Sequence, residues 1–350
     1  MPKLAEHQWL LVDTIESGPT VVAHGEQPRN FVPLQKILRR NPHREQLTQA
    51  VLEASSSAVG SALVSRDGDR LIITEPVVMT DNTVHGVQVW TGPRHARRPQ
   101  RPAIGAVVWD LTEGTAADTP QALLNRGMDP RVERTHGRSI AEDLTVSDPT
   151  PDENTVLALA INAREGQTYC STWDVRTRDG TMITVSFAAR TIEEQWPDGT
   201  VHLIARAMNW RSRRRVESGT SADLASRILR GTAERGVHRA LVDLSNWRLL
   251  KWIDPPSPVF DWRGQQKGRP LVHPDDEPLL HSMTAEFADG PASAVLRMRA
   301  RDPQWVHVHV TVYRIELDDN VHAGLISTRL PTPSEIALHI HRSGATRCRR

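Results

Sequence analysis

Three copies of one strand–turn–strand pattern constrain this chain more than any other feature. The clearest copy is Trp305-Val-His-Val-His-Val-Thr-Val-Tyr-Arg-Ile315. There Val306, Val308, Val310 and Val312 alternate and so share one face of a strand. Asp318, Asp319 and Asn320 supply turn chemistry before a second β-rich run from Val321 to Ser327. Another copy runs from Met182 to Phe187 and turns at Pro197-Asp-Gly199 into Thr200 to Ala205. The third runs from Leu71 to Thr74 and turns at Asp81-Asn82 into Thr83 to Trp90. Their Val-His pairs place His85, His202 and His322 at spacings of 117 and 120 residues. A period that long predicts three copies of a whole domain, not a solenoid.

Composition sets wide bounds. The chain has 350 residues, 38% apolar and 24% charged, with a net charge of +1. Length and repeat together predict three domains of ordinary size, each able to bury a core. A net charge this small draws the chain to neither nucleic acid nor membrane. Cys170 and Cys348 are the only cysteines, so no disulfide framework is expected and a reducing compartment fits. The apolar run Trp9-Leu-Leu-Val12 is too short for a signal peptide, and Asp13 follows at once. No apolar stretch approaches the ~20 residues of a transmembrane helix. The expected location is cytoplasmic.

The elements recur in one order. In the first unit, residues 1–92, strands over 9–15 and 20–23 precede helical spacing at Leu34, Ile37 and Leu38. Pro42 interrupts, Leu47, Val51 and Leu52 continue on a second helix, and strands over 61–66, 71–79 and 84–90 close the unit. A Pro- and Arg-rich linker leads to the second unit, residues 103–211. It has a strand over 104–110, short helices over 120–124 and 140–144, and a helix over 155–164 that Asn154 can cap. Strands over 167–175, 182–191 and 201–210 follow. The third unit, residues 221–330, opens on a helix capped by Ser221, with Leu224, Ala225, Ile228 and Leu229 on one face. Strands over 238–244 and 247–253 come next. A helix then opens at His273-Pro-Asp-Asp276, with acids at the positive end of its dipole, and runs through Phe287 to Asp289-Gly290. A strand over 296–302 and the last hairpin complete the unit. Residues 331–350 are a basic, mobile tail with a helical turn or two over 335–341. The expected fold class is α+β: three tandem domains, each an antiparallel sheet with helices on one face.

Two strands, a helical middle and three antiparallel strands resemble the order of PAS and GAF sensor domains. His273-Pro-Asp-Asp276, its helix to Phe287, Leu296 to Asp302, Trp305-Val-His-Val308 and Ala323 to Thr328 look like the second half of a PAS domain. The first two units lack that motif, and the second is GAF- or PAS-like. Trp9-Leu-Leu-Val12, Val21-Val-Ala23, Phe31-Val-Pro-Leu34, Ile37-Leu-Arg-Arg40, Met79-Thr-Asp81 and Val84 to Pro93 carry a wider likeness. From residue 8 to about residue 330 the chain resembles a mycobacterial family of triple sensor-domain proteins, with PAS- and GAF-type domains in tandem and no output domain. The resemblance implies a sensory or scaffolding role and brings no catalytic residues.

Each candidate for chemistry has a plainer reading beside it. His307 and His309 share a strand face and could hold one metal, as the metal-binding strand of cupins does. Cupins place a Glu three or four residues later, whereas the first acid here is Glu316. The valine face is the natural core face, so these histidines, with Trp305 and Tyr313, belong on an outer face that is solvated or meets another domain. His85, His202 and His322 each follow a turn, and a repeated structural position explains all three. Cys170 could be a reactive or haem-binding thiol, but between Tyr169 and Trp173 it reads as a small buried hydrophobe. Arg94, Arg97, Arg98 and Arg101 form one basic cluster, Arg211, Arg213, Arg214 and Arg215 a second, and Arg342, Arg347, Arg349 and Arg350 a third. Without interleaved aromatics or a recognisable DNA-binding module, ion pairing or solvation accounts for them better than nucleic acid does. Trp252, Phe260, Trp262 and Phe287 surround the expected helical wall of a PAS cavity, where they line an apolar ligand pocket or fill the core. Phosphate-binding loop and nucleophile-elbow patterns are missing.

These features predict a non-catalytic cytoplasmic signalling protein that binds a small ligand, a protein partner or both. The alternative is a scaffold with lost pockets that anchors a partner through Trp305 and Tyr313. A third reading, from another class, is a metal-dependent enzyme using His307 and His309. The sequence assigns no catalytic residue, no metal site and no identified cofactor.

Overall fold

The computed structural model describes residues 8–143, 153–177, 179–213, 231–264, 270–285, 290–302, 304–318 and 321–339. The chain divides into two compact units. One comprises Met1–Thr112, Ala116–Gly137 and Arg164–Glu217, the other Glu113–Thr115, Arg138–Ala163 and Ser218–Arg350.

The first unit is built in four layers. Its first sheet contains β1 (Leu10–Asp13), β2 (Thr20–His24), β3 (Gln27–Pro33), β4 (Ser61–Val64), β5 (Arg70–Val78) and β6 (Val84–Pro93). They pair antiparallel in the order β3-β2-β1-β6-β5-β4. Helices α1 (Leu34–Ile37) and α2 (Arg44–Ser57) cover one face. In α2 the buried residues Leu47, Ala50, Val51 and Ala54 recur at helical spacing, and Ala58 ends the helix in a left-handed conformation. With Leu34 and Leu38 they pack on Val12, Val21, Ile72, Val87 and Val89. The neighbouring strand residues point the other way, as the pleat requires.

That second face meets a second sheet. It contains β7 (Ile104–Asp110), β8 (Thr115–Asp118), β10 (Thr168–Arg176), β11 (Met182–Gln195) and β12 (Val201–Arg211). The order is β10-β11-β12-β7-β8. Leu11, Val22, Ala23, Val77 and Met79 of the first sheet pack on Ala106, Ala188, Met208 and Trp210 of the second. On the far side Val107, Ala189 and Ala207 hold Ala122 of α3 (Pro120–Asn125). Two glycines permit this closeness. A Cβ on Gly86 would lie 2.7 Å from the Met208 side chain, and one on Gly105 would lie 2.3 Å from the Ala122 backbone.

The second unit has one sheet of β13 (His238–Asp243), β14 (Arg248–Trp252), β15 (Ala292–Arg299), β16 (Trp305–Asp318) and β17 (Val321–Arg329). Its order is β14-β13-β17-β16-β15, all antiparallel. Numbered within each domain, the second and first strands lie beside the last in this sheet and in the other two. The alternating valines behave as their pattern requires: Val308, Val310 and Val312 face a core with Trp252, Phe260, Trp262, Leu280 and Met283.

Several expectations change. β3 carries two prolines and lies at a sheet edge, where missing N–H groups are tolerated; its lack of alternation hid it from the sequence. β8 is only four residues long and was hidden by its brevity. The segment expected to roof the middle sheet, β9 (Arg138–Ser139), α4 (Ile140–Asp143) and α5 (Glu153–Asn162), belongs to the second unit. Ala141 is fully buried in the Trp252–Phe260–Trp262 core, and α5 contacts β16 and β17. Asn154 falls inside α5 instead of capping it.

Asp276 does more than favour a helix dipole. It is buried ahead of α6 (Glu277–Ala285) and accepts from the Arg297 backbone N–H at 2.8 Å and from its guanidinium at 2.7 and 3.0 Å. In the tail, residues 333–339 are helical, and Glu335 accepts from Arg329 at 2.7 and 3.0 Å. The helix expected after Ser221, and Phe287, lie outside the described residues.

Candidate functional site

In the second unit, Trp252, Phe260 and Trp262 come together. Their exposures are 4%, 2% and 2%. Trp252 stands 6.1 Å from Phe260 and 5.8 Å from Trp262, ring centre to ring centre. These distances are those of packed aromatic pairs, so the three side chains occupy one another's space. Arg263 covers the Trp262 ring at 4.4 Å and reaches Glu142 at 3.4 Å. One polar atom is left over: the buried Trp252 Nε1 has no hydrogen-bond partner among the described residues. The corresponding place in the first domain, between α1, α2 and the sheet, holds a cavity of about 30 Å³. Leu10, Leu34, Leu38, Leu47, Val51 and Val89 line it. It has room for little more than a water molecule.

Trp305 and Tyr313 do not form one patch. Eight residues apart on β16, they lie about 26 Å from each other along the strand. Trp305 meets His273 edge-on at 4.8 Å and the Arg299 guanidinium at 5.0 Å, while Tyr313 is 44% exposed. The histidines between them contact the C-terminal helix. The His307 ring is 5.5 Å from that of His339, and His309 Nε2 is 3.5 Å from Glu335. Burial and then Arg329 hold the His309 pKa below its ordinary value, against the pull of Glu335.

In the first unit, two buried arginines of the second sheet reach the first. Arg190 donates to Asp13 Oδ2 at 2.9 and 3.0 Å and to Glu16 at 2.8 Å. Arg206 donates to both oxygens of Glu194, at 2.5 and 3.0 Å, and to Asp81 at 3.0 Å. Its Nη1 also lies 3.0 Å from His85 Nε2, while His85 Nδ1 is 2.9 Å from the Ala207 carbonyl. An arginine can only donate and a carbonyl can only accept, so His85 is neutral with its proton on Nδ1. Burial, reinforced by Arg206, pushes its pKa down to about 4. His202, also buried, pairs with Asp110 at 2.7 Å and stacks on Trp196, whereas His322 is only half-buried. The three repeated histidines therefore have different partners. Burial pushes the Cys170 thiol up to about 11.

The basic clusters are partly neutralised. Arg101 pairs with Glu75 at 3.1 Å, Arg213 approaches Glu26 at 3.5 Å, and Arg211 donates to the Leu124 carbonyl. Arg94, Arg97 and Arg98 are exposed. Arg214, Arg215 and the tail arginines from Arg342 onward lie outside the described residues.

Sequence reasoning missed one grouping. His43, just before α2, brings its Nε2 to 3.5 Å from Asp67 and 3.8 Å from Asp69, on the turn between β4 and β5. The Ser65 hydroxyl lies 2.5 Å from Asp67 Oδ1 and 3.1 Å from Asp69 Oδ1, and it does most to hold the Asp67 carboxyl down at about 2. Among the described residues, this is the group of histidines and acids whose donor atoms stand at metal-ligand spacing. The signal that could have found it is Asp67-Gly-Asp69, which in sequence is indistinguishable from ordinary turn chemistry.

Three family models match the chain: the Rv3651-like N-terminal domain over residues 8–100, the middle domain over 103–212 and the C-terminal domain over 222–339. A protein from Mycobacterium tuberculosis of known crystal structure is 45% identical, with a TM-score of 0.86, over 94% of this chain and 98% of that one. A sensory box histidine kinase/response regulator from Burkholderia thailandensis is 16% identical, with a TM-score of 0.22, over 37% of this chain and 89% of its own. An RNA-binding light-oxygen-voltage receptor is 10% identical, with a TM-score of 0.25, over 71% of this chain and 100% of its own. Neither of these two scores reaches the level at which a shared fold follows. No curated protein matches. Among the described residues, no helix is long and apolar enough to cross a membrane.

Proposed function

Since the chain belongs to the Rv3651-like three-domain family, we propose that it is a non-catalytic signalling protein of PAS-like domains that works by holding a protein partner. The observation that carries this reading is the packing of Trp252, Phe260 and Trp262 against one another. A PAS-type sensor keeps its ligand between the helical wall and the sheet. Here large aromatic side chains fill that place, so the work of the domain moves to its outside. The shared strand order supports the PAS-like assignment, and Trp305 and Tyr313 are two separate anchor points. Three of the histidines are engaged structurally: His85 with Arg206, His202 with Asp110, His309 beside Glu335.

A second reading is small-ligand sensing. Trp252 Nε1 would gain an acceptor from a bound ligand. Native mass spectrometry of protein purified from its own host separates the two. The scaffold reading expects no small mass that is lost on denaturation. A stoichiometric small molecule would replace it with the sensor reading.

A further inference from the structure

We propose that His43, Asp67 and Asp69 form a binding site for a divalent transition-metal cation of the Zn²⁺ class. The His43 ring is 8% exposed, and it makes no hydrogen bond to any described residue. Its Nε2 is aimed at two carboxylates. The separations, 3.5 Å to Asp67 and 3.8 Å to Asp69, exceed the roughly 2.7–3.2 Å of a hydrogen bond. They are close to the edge of a ligand tetrahedron: with bonds of about 2.0–2.2 Å, two ligands of one zinc ion stand about 3.3–3.6 Å apart. All three donor atoms lie within 4.8 Å of one another. Both Asp side chains are more than half exposed, at 53% and 62%, and can close the remaining gap.

The surroundings hold this geometry. Gln46 Oε1 of α2 accepts from the Arg66 N–H at 3.0 Å and so ties the helix to the turn. Ser65 engages Asp67 through Oδ1, which leaves Oδ2 toward His43. One neutral imidazole and two carboxylates cancel a double positive charge and suit Zn²⁺. A nitrogen ligand disfavours Ca²⁺ and Mg²⁺, which take oxygen. The exposed side of the group leaves a fourth position to water. The site is independent of the partner-binding reading.

The test is calorimetric titration of the intact, metal-stripped chain with Zn²⁺, and with Co²⁺ for its visible d–d spectrum. The expected result is one tight equivalent. It should weaken at least about tenfold in Asp69→Asn and in His43→Gln and stay unchanged in the His307→Ala/His309→Ala double variant. Asp69→Asn alters an exposed carboxylate, so circular dichroism should show an intact fold. No binding, binding equal in Asp69→Asn and wild type, or a preference for Ca²⁺ or Mg²⁺ would overturn the assignment.

Discussion

Arg190 and Arg206 stand directly opposite each other in the register of β11 and β12, and both are buried. Like charges facing across two strands repel. Here each is compensated from the first sheet, Arg190 by Asp13 and Glu16, Arg206 by Asp81. Separated from the first sheet, the second would keep two facing arginines and, of these acids, Glu194 alone. The two sheets thus need each other electrostatically as well as through their shared apolar layer.

Arg190→Ala should cost about 3–5 kcal/mol, because Asp13 at 2% exposure keeps a buried charge without its cation. Arg206→Ala should cost less, since Glu194 and Asp81 are 29% and 45% exposed and water can replace the arginine. Denaturant unfolding of both variants gives the order.

Acid should loosen the first unit through His85. Its folded pKa of about 4 lies below the ordinary 6.5, so the neutral form is the folded form. The stabilisation is complete above pH 6.5 and is lost as pH falls toward 4, by about 2 kcal/mol between pH 7 and 5. The groups facing it are Arg206 and Asp81. Burial alone would raise the Asp81 carboxyl, but the Thr83 backbone and Arg206 outweigh it and keep it charged through this window. Unfolding midpoints across pH 4.5 to 7 should flatten in His85→Asn.

A fragment of residues 218–350 should fold poorly although it contains the whole region matched by the C-terminal family model. It lacks Ala141 from its core, Glu142 opposite Arg263, and α5 beside β16 and β17. Limited proteolysis should digest it faster than the same residues in the intact chain.

Cys170 should resist alkylation in the folded protein at pH 8, because burial holds its thiol near 11. Denaturant should release it, and mass spectrometry counts the label.

Much of the fold was legible because alternation is a local signal. The valines of β16 faced the core as their spacing required, and α2 buried Leu47 and Val51 as expected, while Leu52 is exposed. What escaped was non-local. Arg190 finds Asp13 across 177 residues of chain, and no local pattern marks a buried arginine. His43 meets Asp67 and Asp69 only because α2 starts beside the β4–β5 turn. The segment with Ala141 sits between strands of the middle sheet in sequence, so adjacency assigned it there, while packing places it with Trp252. Of the aromatic residues singled out, Trp252, Phe260 and Trp262 lie in one core, and side-chain packing decides whether such a group lines space or fills it.

The most direct test of the partner-binding account is affinity capture from the native host with the intact chain and with the Trp305→Ala/Tyr313→Ala variant. The account predicts a stoichiometric protein partner with the wild type that is lost from the variant, with both chains equally folded. Capture that survives both substitutions, or a wild-type chain that retains no protein at all, would contradict it.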